Sequence, residues 1–238
     1  MPPSASLLLA ALAAPLAGAT TLSTQDMLDL SLEQLSNIVI TSVSRQEGRL
    51  STAPASLYII SAADIRRSGA RSLPEALRLA PNLQVARVDA RNYAVTARGF
   101  NSAFENKLLV LIDGRSVYTP LFSGVFWDAQ DVVMEDIARI EVISGPGATI
   151  WGVNAVNGVI NVITKPASQT QGGLASATAG EHERHGQFRY GGQLANGADW
   201  RAYAKADQND DTVNAAGAET RTGWRRSQAG FRSDYAFG

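Results

Sequence analysis

The pattern of apolar positions divides the chain near Ser168. Before that point, apolar residues come in short runs rich in β-branched side chains, at Leu57 to Ile60, Tyr93 to Ala97, Leu108 to Ile112, Ile137 to Ile143 and Asn157 to Thr164. Each has the length of a strand and is bounded by turn residues. Helix signals fall between and before them. Ser61 and Asp64 have cap spacing with Gly69 as a stop, and Ser72 and Glu75 repeat the device, with Pro74 in the first turn and Pro81 closing it. Ser31 and Gln34 start a third short helix, after which Ile38, Val39, Ile40, Thr41, Ser42 and Val43 read as an extended run belonging to no hairpin. Helices of two or three turns need a sheet to lie against, so these strands are expected to supply one, forming an α/β domain of about 120 residues.

After Gln171 the pattern changes to a period of two. Trp200, Ala202, Ala204 and Ala206 alternate with Arg201, Tyr203 and Lys205; Phe188 and Tyr190 alternate with Gln187 and Arg189; Phe231, Tyr235 and Phe237 oppose Arg232 and Asp234. Strands with one apolar and one polar face, joined by polar turns, fit a transmembrane β-barrel wall, and a soluble antiparallel sheet shares the alternation. Four or so strands cannot close a barrel, so either the sheet is open or the chain is the N-terminal part of a longer protein.

Composition narrows the choice. Hydrophobic residues make up 45% of the chain, enough for a real core, and a formal net charge of -1 argues against a basic nucleic-acid footprint. The chain has no cysteine, which removes disulfides, thiolate metal sites and cysteine nucleophiles. Residues 1–19 read as a signal peptide, a small-residue and leucine-rich run ending in Ala17-Gly18-Ala19, although its start carries no Lys or Arg. No other stretch is long and apolar enough for a membrane helix, so insertion of the mature chain would have to be by strands.

Candidate chemistry is sparse. Gly147 and Gly152 have Walker-like spacing, but Val153-Asn154 replaces the Gly-Lys that reaches a phosphate, and the third glycine of a dinucleotide loop is missing. The simplest account of the stretch is a tight glycine connection between two strands. His182 and His185 are three apart, not the four a zinc helix needs, and read as polar turn residues. Asp113, Asp128 and Asp131 read as turn residues and strand ends rather than an acid/base set. No catalytic residue, metal ligand or cofactor is expected, and the chain does not read as an enzyme.

Four stretches in order carry a family resemblance: "VTARGFNS" with Arg98, Gly99 and Phe100; "LLVLIDGRSVYTP" with Asp113 and Gly114; "IARIEVISGPGATIWG" with Glu141, Gly145, Pro146, Gly147 and Gly152; and "NAVNGVINVITK" with Gly158. Residues 38–166 resemble the plug domain of TonB-dependent outer-membrane receptors, and 172–238 resemble the first strands of the barrel around it. The resemblance implies a periplasmic segment at 20–50 whose Ile38 to Val43 takes the place of the TonB box, a plug at 51–167, and incomplete barrel strands at 172–238. The implied partners are TonB with its inner-membrane energising complex, outer-membrane lipid and a scarce metal chelate such as a ferric siderophore, haem or cobalamin, with no nucleic acid. The implied location is the outer membrane, with the plug inside the barrel and facing the periplasm. Loops holding Tyr118, Phe122, Phe126 and Trp127 would face the ligand, and Arg98, Arg139 and Glu141 would make polar contacts from plug to wall. The alternative is an exported ligand-binding α/β module with an appended open sheet and no transport activity.

Overall fold

A computed structural model of the chain describes residues 39–40, 48–49, 56–99, 102, 104, 107–122, 124–145, 151–152 and 154–235. The signal peptide, the Ser31 helix, Ile38, Thr41 to Val43, Phe100, Pro146, Gly147 and Phe237 lie outside the described residues.

The first region is built on a five-stranded sheet of β3 (Ser56–Ser61), β6 (Leu108–Ile112), β7 (Arg115–Ser116), β8 (Ile137–Ser144) and β9 (Gly158–Thr164). Its order is β3-β8-β9-β6-β7, antiparallel except where β9 runs parallel to β6. Both faces are covered. Ile60, Val110, Ile140, Val142 and Ile160 meet Ile65 of α1 (Ala62–Ser68) and Leu73 and Leu77 of α2 (Leu73–Leu77) on one side. Leu109, Leu111, Ile143 and Val159 meet Ala155 and Trp151 on the other. Burial on both faces explains why these strands read as continuous apolar runs rather than as alternation.

The helix ends follow local chemistry. Ser61 and Asp64 form a reciprocal capping box, and Gly69 ends α1 in the left-handed region at φ 68°. At α2 the expected pair is only half realised: Glu75 accepts from the Arg71 backbone N–H at 3.1 Å, while the Ser72 side chain makes no cap bond. Asp113 (φ 48°) and Gly114 (φ 77°) form the two-residue turn between β6 and β7, where positive φ at both positions matches the twist of a tight hairpin.

Two expectations about strands need correction. Tyr93 to Ala97 (β5) does not join the main sheet; it pairs with β4 (Leu83–Arg87), which the sequence reading missed, as a separate two-stranded ribbon. Leu83-Gln84-Val85-Ala86-Arg87 has too few β-branched residues to announce itself. Within the run expected to belong to no hairpin, β1 (Val39–Ile40) pairs antiparallel with β2 (Gly48–Arg49).

The glycine stretch is a connection between β8 and β9, closed by Gly145 N–H donating to Asn157 O at 3.0 Å. Its glycines do different jobs. A Cβ on Gly158 would overlap the Ile143 carbonyl oxygen of the adjacent strand, so glycine there serves close approach within the sheet, not approach to a wall. Gly152 has open space around it and is held instead by its φ of 92°.

The second region is an antiparallel sheet of β10 (Gly172–Ala179), β11 (Glu183–Gln193), β12 (Asp199–Asn209) and β13 (Trp224–Asp234), in chain order and not closed. The β11–β12 turn is short; the β12–β13 connection runs from Asp210 to Gly223 with one internal bridge, Val213 to Glu219.

Two outcomes test this account. Gly158→Ala should destabilise the full chain in detergent by several kcal/mol, more than Gly152→Ala, whose backbone strain alone costs about 1–3 kcal/mol; urea midpoints give the order. Ser61→Ala should cost about 1 kcal/mol at neutral pH. Burial pushes the Asp64 carboxyl up, but its bonds from Ser61 and the Arg67 charge outweigh this and hold it below the usual value. A depressed folded value stabilises above the unfolded pKa and is lost as pH falls through the folded one, so the Ser61→Ala deficit should shrink in acid.

Candidate functional site

The two regions meet along a seam that inverts the usual rule of burial. On the four-stranded sheet the apolar side chains point out: Phe188, Tyr190 and Phe231 are exposed, the last by 83%. The charged ones point in: Arg189, Arg201, Lys205 and Asp207 are each less than 9% exposed, against the first region. Buried charges persist only when paired, and the partners come from the irregular segment between the aromatic loop and β8.

Asp131 is the tightest of these. Its Oδ2 accepts from Lys205 Nζ at 2.7 Å and Arg226 Nη2 at 2.6 Å, and the same Arg226 nitrogen reaches Asp207 Oδ2 at 3.0 Å. Arg226 also donates to the Asp128 carbonyl and lies 4.9 Å from the Trp224 ring centroid. Asp136 is held more loosely, by Arg189 at 3.2 Å and Arg201 at 3.4 Å. Both arginines spend their stronger bonds on backbone, Arg189 on Thr170 O at 3.1 Å and Arg201 on Lys165 O at 2.5 Å. Burial therefore pushes the Asp136 carboxyl up in spite of the arginines.

Further polar contacts extend the seam. Thr164 donates its N–H and Oγ1 to Asp113 at 2.8 and 2.7 Å, and Arg232 donates to Thr164 Oγ1 at 2.9 Å. Gln187 donates to Glu135 at 2.6 Å, and Arg71 is ion-paired with Glu183. At the end with the long connection, Trp224 Nε1 and Asn209 Nδ2 both donate to Ala90 O in the β4–β5 turn. That turn, the β10–β11 turn and the long connection enclose a cleft of about 910 Å³.

The sequence-derived residues are distributed as follows. Arg98 (φ 62°) and Gly99 (φ 88°) turn the chain after β5, and the Arg98 guanidinium lies where a side chain on Gly145 would stand, 3.4 Å away. Glu141 is fully buried in β8 and pairs with Arg139 of the same strand at 2.7 Å, so this pair is internal to the first region. Phe122 packs edge-on against Phe126 at 4.6 Å and against Phe104, which sequence reasoning had not singled out, at 5.5 Å. Phe104, Phe126 and the adjacent Leu121 are exposed. Trp127 is partly buried and packs against the main core, and Tyr118 is half-buried.

Other site residues were read too blandly. Asp131 is a buried ion-pair partner rather than a turn residue, and Asp136, Arg226 and Gln187 were overlooked as seam partners. His185 lies in β11, not in the turn, with Nδ1 2.9 Å from Asp207 Oδ1. Among the described residues no cluster of His, Asp or Glu could hold a metal ion. The one available signal was the polar face of β12, which pointed to a charged surface needing counter-charges; the segment that supplies them has no periodicity to read.

A small two-faced sheet held by ion pairs against the polar side of an inside-out antiparallel sheet defines a plug seated on a barrel wall. Residues 49–159 match the model of the TonB-dependent Receptor Plug Domain, and the chain belongs to the TonB-dependent receptor family. It is 32% identical over 167 residues to the vitamin B12 transporter BtuB of Vibrio vulnificus, covering 69% of this chain and 27% of that protein. It is 30% identical over 220 residues to a ferric enterobactin receptor of Pseudomonas aeruginosa, covering 82% of this chain and 29% of the relative. The chain thus spans under a third of the length of these relatives, which are a transporter and a receptor, not enzymes. In fold it resembles the ferripyoverdine receptor of the outer membrane of Pseudomonas aeruginosa, with a TM-score of 0.59 at 20% identity over 76% of this chain and 24% of that one. It also resembles the siderophore receptor PirA of the same organism, with a TM-score of 0.52 at 26% identity over 76% of this chain and 32% of that one.

The seam makes a quantitative prediction. Asp131→Ala leaves Lys205 and Arg226 facing each other without their shared anion and should destabilise the full chain in detergent by about 3–5 kcal/mol. Asp131→Leu combined with Lys205→Met should recover part of that loss, because the buried charge goes with its partner. Urea denaturation of the single and double variants reads both.

Proposed function

We propose that this chain is the plug and first wall strands of a TonB-dependent outer-membrane receptor that imports a scarce metal chelate, a cobalamin or ferric siderophore or haem. The carrying observation is the orientation of the second sheet: charges turned onto the plug and aromatic and alanine side chains turned outward, the arrangement of a wall with lipid on one side and a polar lumen on the other. The outer-membrane location and the ligand class draw support from the relatives, a vitamin B12 transporter and a ferric enterobactin receptor. In this reading the plug closes the lumen, and the exposed Phe104 and Phe126, packed edge-on against the partly buried Phe122 between them, present an aromatic surface to the solute.

Coupling to TonB is assigned to Ile38 to Val43. A partner strand can add to an extended segment by main-chain bonding with little demand on side chains. Among the described residues Val39–Ile40 pairs along one edge, with Gly48–Arg49, which supports the other edge taking such a partner.

In cells that depend on the receptor carrying this chain for cyanocobalamin or ferric enterobactin, Ile40→Pro removes one donor and restricts Val39. Uptake of the labelled chelate should fall at least about tenfold while its binding at the cell surface stays within about twofold. Joint loss of uptake and binding would make the segment part of the plug's own structure, and uptake at the normal rate would exclude it as the coupling site. Failure of cyanocobalamin, ferric enterobactin and haem alike to bind would remove the ligand assignment.

A further inference from the structure

The outward face of the wall carries two cations that have no work to do in the seam. Register places Ala179, Arg184, Gln208 and Arg225 side by side across β10 to β13, at the end of the sheet next to the long connection. Arg184 and Arg225 are exposed and, among the described residues, have no ion pair or hydrogen bond, unlike Arg189, Arg201 and Arg226 on the inner face. Below this row the face is lined by small residues, Gly186, Ala206 and Ser227, and then by Ala204 and Ala229 beside Phe188. Arg184, Gln208, Arg225 and the small residues form a shallow groove of about 470 Å³, which Asp207 also lines although its carboxylate is engaged by His185 and Arg226. Acids stand at the upper rim, where Asp210, Asp211 and Glu219 lie beside Gln208 and Arg225, and Asp210 accepts from Gln208 Nε2 at 3.3 Å.

An unpaired arginine on the lipid side of a barrel is costly in the hydrocarbon and nearly free at the interface, where a headgroup can meet it. Strands are about 4.8 Å apart, so Arg184 and Arg225 stand about 10 Å from each other, a span that two guanidinium arms close onto one phosphate. The small-residue floor leaves room for an acyl chain running down the sheet from that phosphate. Short turns mark the periplasmic end of such a wall and long connections the external end, which puts the arginine row in the outer leaflet.

We propose that the Arg184–Gln208–Arg225 row is a binding site for the phosphate-monoester headgroup of an outer-leaflet lipid, whose acyl chain lies over Gly186, Ala206 and Ser227. The proposal rests on the reading that this face of the sheet meets lipid. Charge complementarity selects the occupant: two guanidinium groups without a carboxylate between them favour an anion, and the apolar surface below them favours one attached to a chain.

The test uses the full chain in detergent, with native mass spectrometry counting retained lipid. Dioleoyl phosphatidic acid is the probe, dioleoyl phosphatidylcholine the control and inorganic phosphate the competitor. Phosphatidic acid should be retained over phosphatidylcholine, and R184Q/R225Q should lower its retention at least about fivefold without changing that of phosphatidylcholine. Ala206→Leu, which fills the floor and leaves both arginines in place, should also lower phosphatidic acid retention, so the claim does not hang on the double variant folding. Equal retention of the two lipids, a double variant that binds like the parent, or displacement of the lipid by millimolar phosphate would each overturn the proposal. If the chain also fails to insert into lipid vesicles, the lipid-facing reading of the sheet falls with it; if it inserts but does not discriminate, only this site falls.

Discussion

Everything in this structure turns on where the charged side of the second sheet goes. A strand face carrying Arg189, Arg201 and Lys205 cannot leave water unless anions meet it, because desolvating an unpaired ion costs several kcal/mol even after relaxation. The first region provides them at Asp131 and Asp136. The docking of the two sheets is thus set by charge pairing at defined positions, while the apolar side of the wall is left facing outward. A hydrophobic seam would have been non-directional. This one specifies register through individual hydrogen bonds, several of which share an atom, as Asp131 Oδ2 and Arg226 Nη2 do.

The plug can afford a polar boundary because its own cohesion does not depend on it. Two hydrophobic layers flank the five-stranded sheet, one under the helices and one under the glycine connection. Close packing of β9 against β8 is possible at Gly158 because no side chain intrudes on Ile143 O. The core of the first region and the interface that holds it against the second sheet are built from different chemistry. Polar contacts of the seam can be exchanged for water, whereas a buried apolar core cannot be opened without a large penalty.

The pairing within the seam is uneven. Asp131 receives short charge-assisted bonds from two cations, whereas Asp136 sits at longer range from arginines whose better bonds go to carbonyl groups. Two aspartates five residues apart, both buried, therefore differ in how closely cations meet them. The difference comes from donor geometry and competition, not from residue type.

Much of the fold was legible in the order of residues. The β-branched runs became β3, β6, β8 and β9, Ser61 and Asp64 capped α1, and the alternation of Trp200 to Ala206 with Arg201 to Lys205 set which side of β12 is polar. These are local properties: side-chain period, cap spacing and turn chemistry act within a few residues and leave their mark on the sequence. Tertiary structure alone decided the rest. It sent Tyr93 to Ala97 to pair with Leu83 to Arg87, gave Gly152 and Gly158 different reasons to be glycine, packed Trp127 against the main core, and joined Lys205 to Asp131, far apart along the chain. Those outcomes depend on which surfaces meet after the elements have formed. An aspartate in an irregular segment carries no periodic signal of its partner, and only the docked sheet reveals that its charge is spoken for.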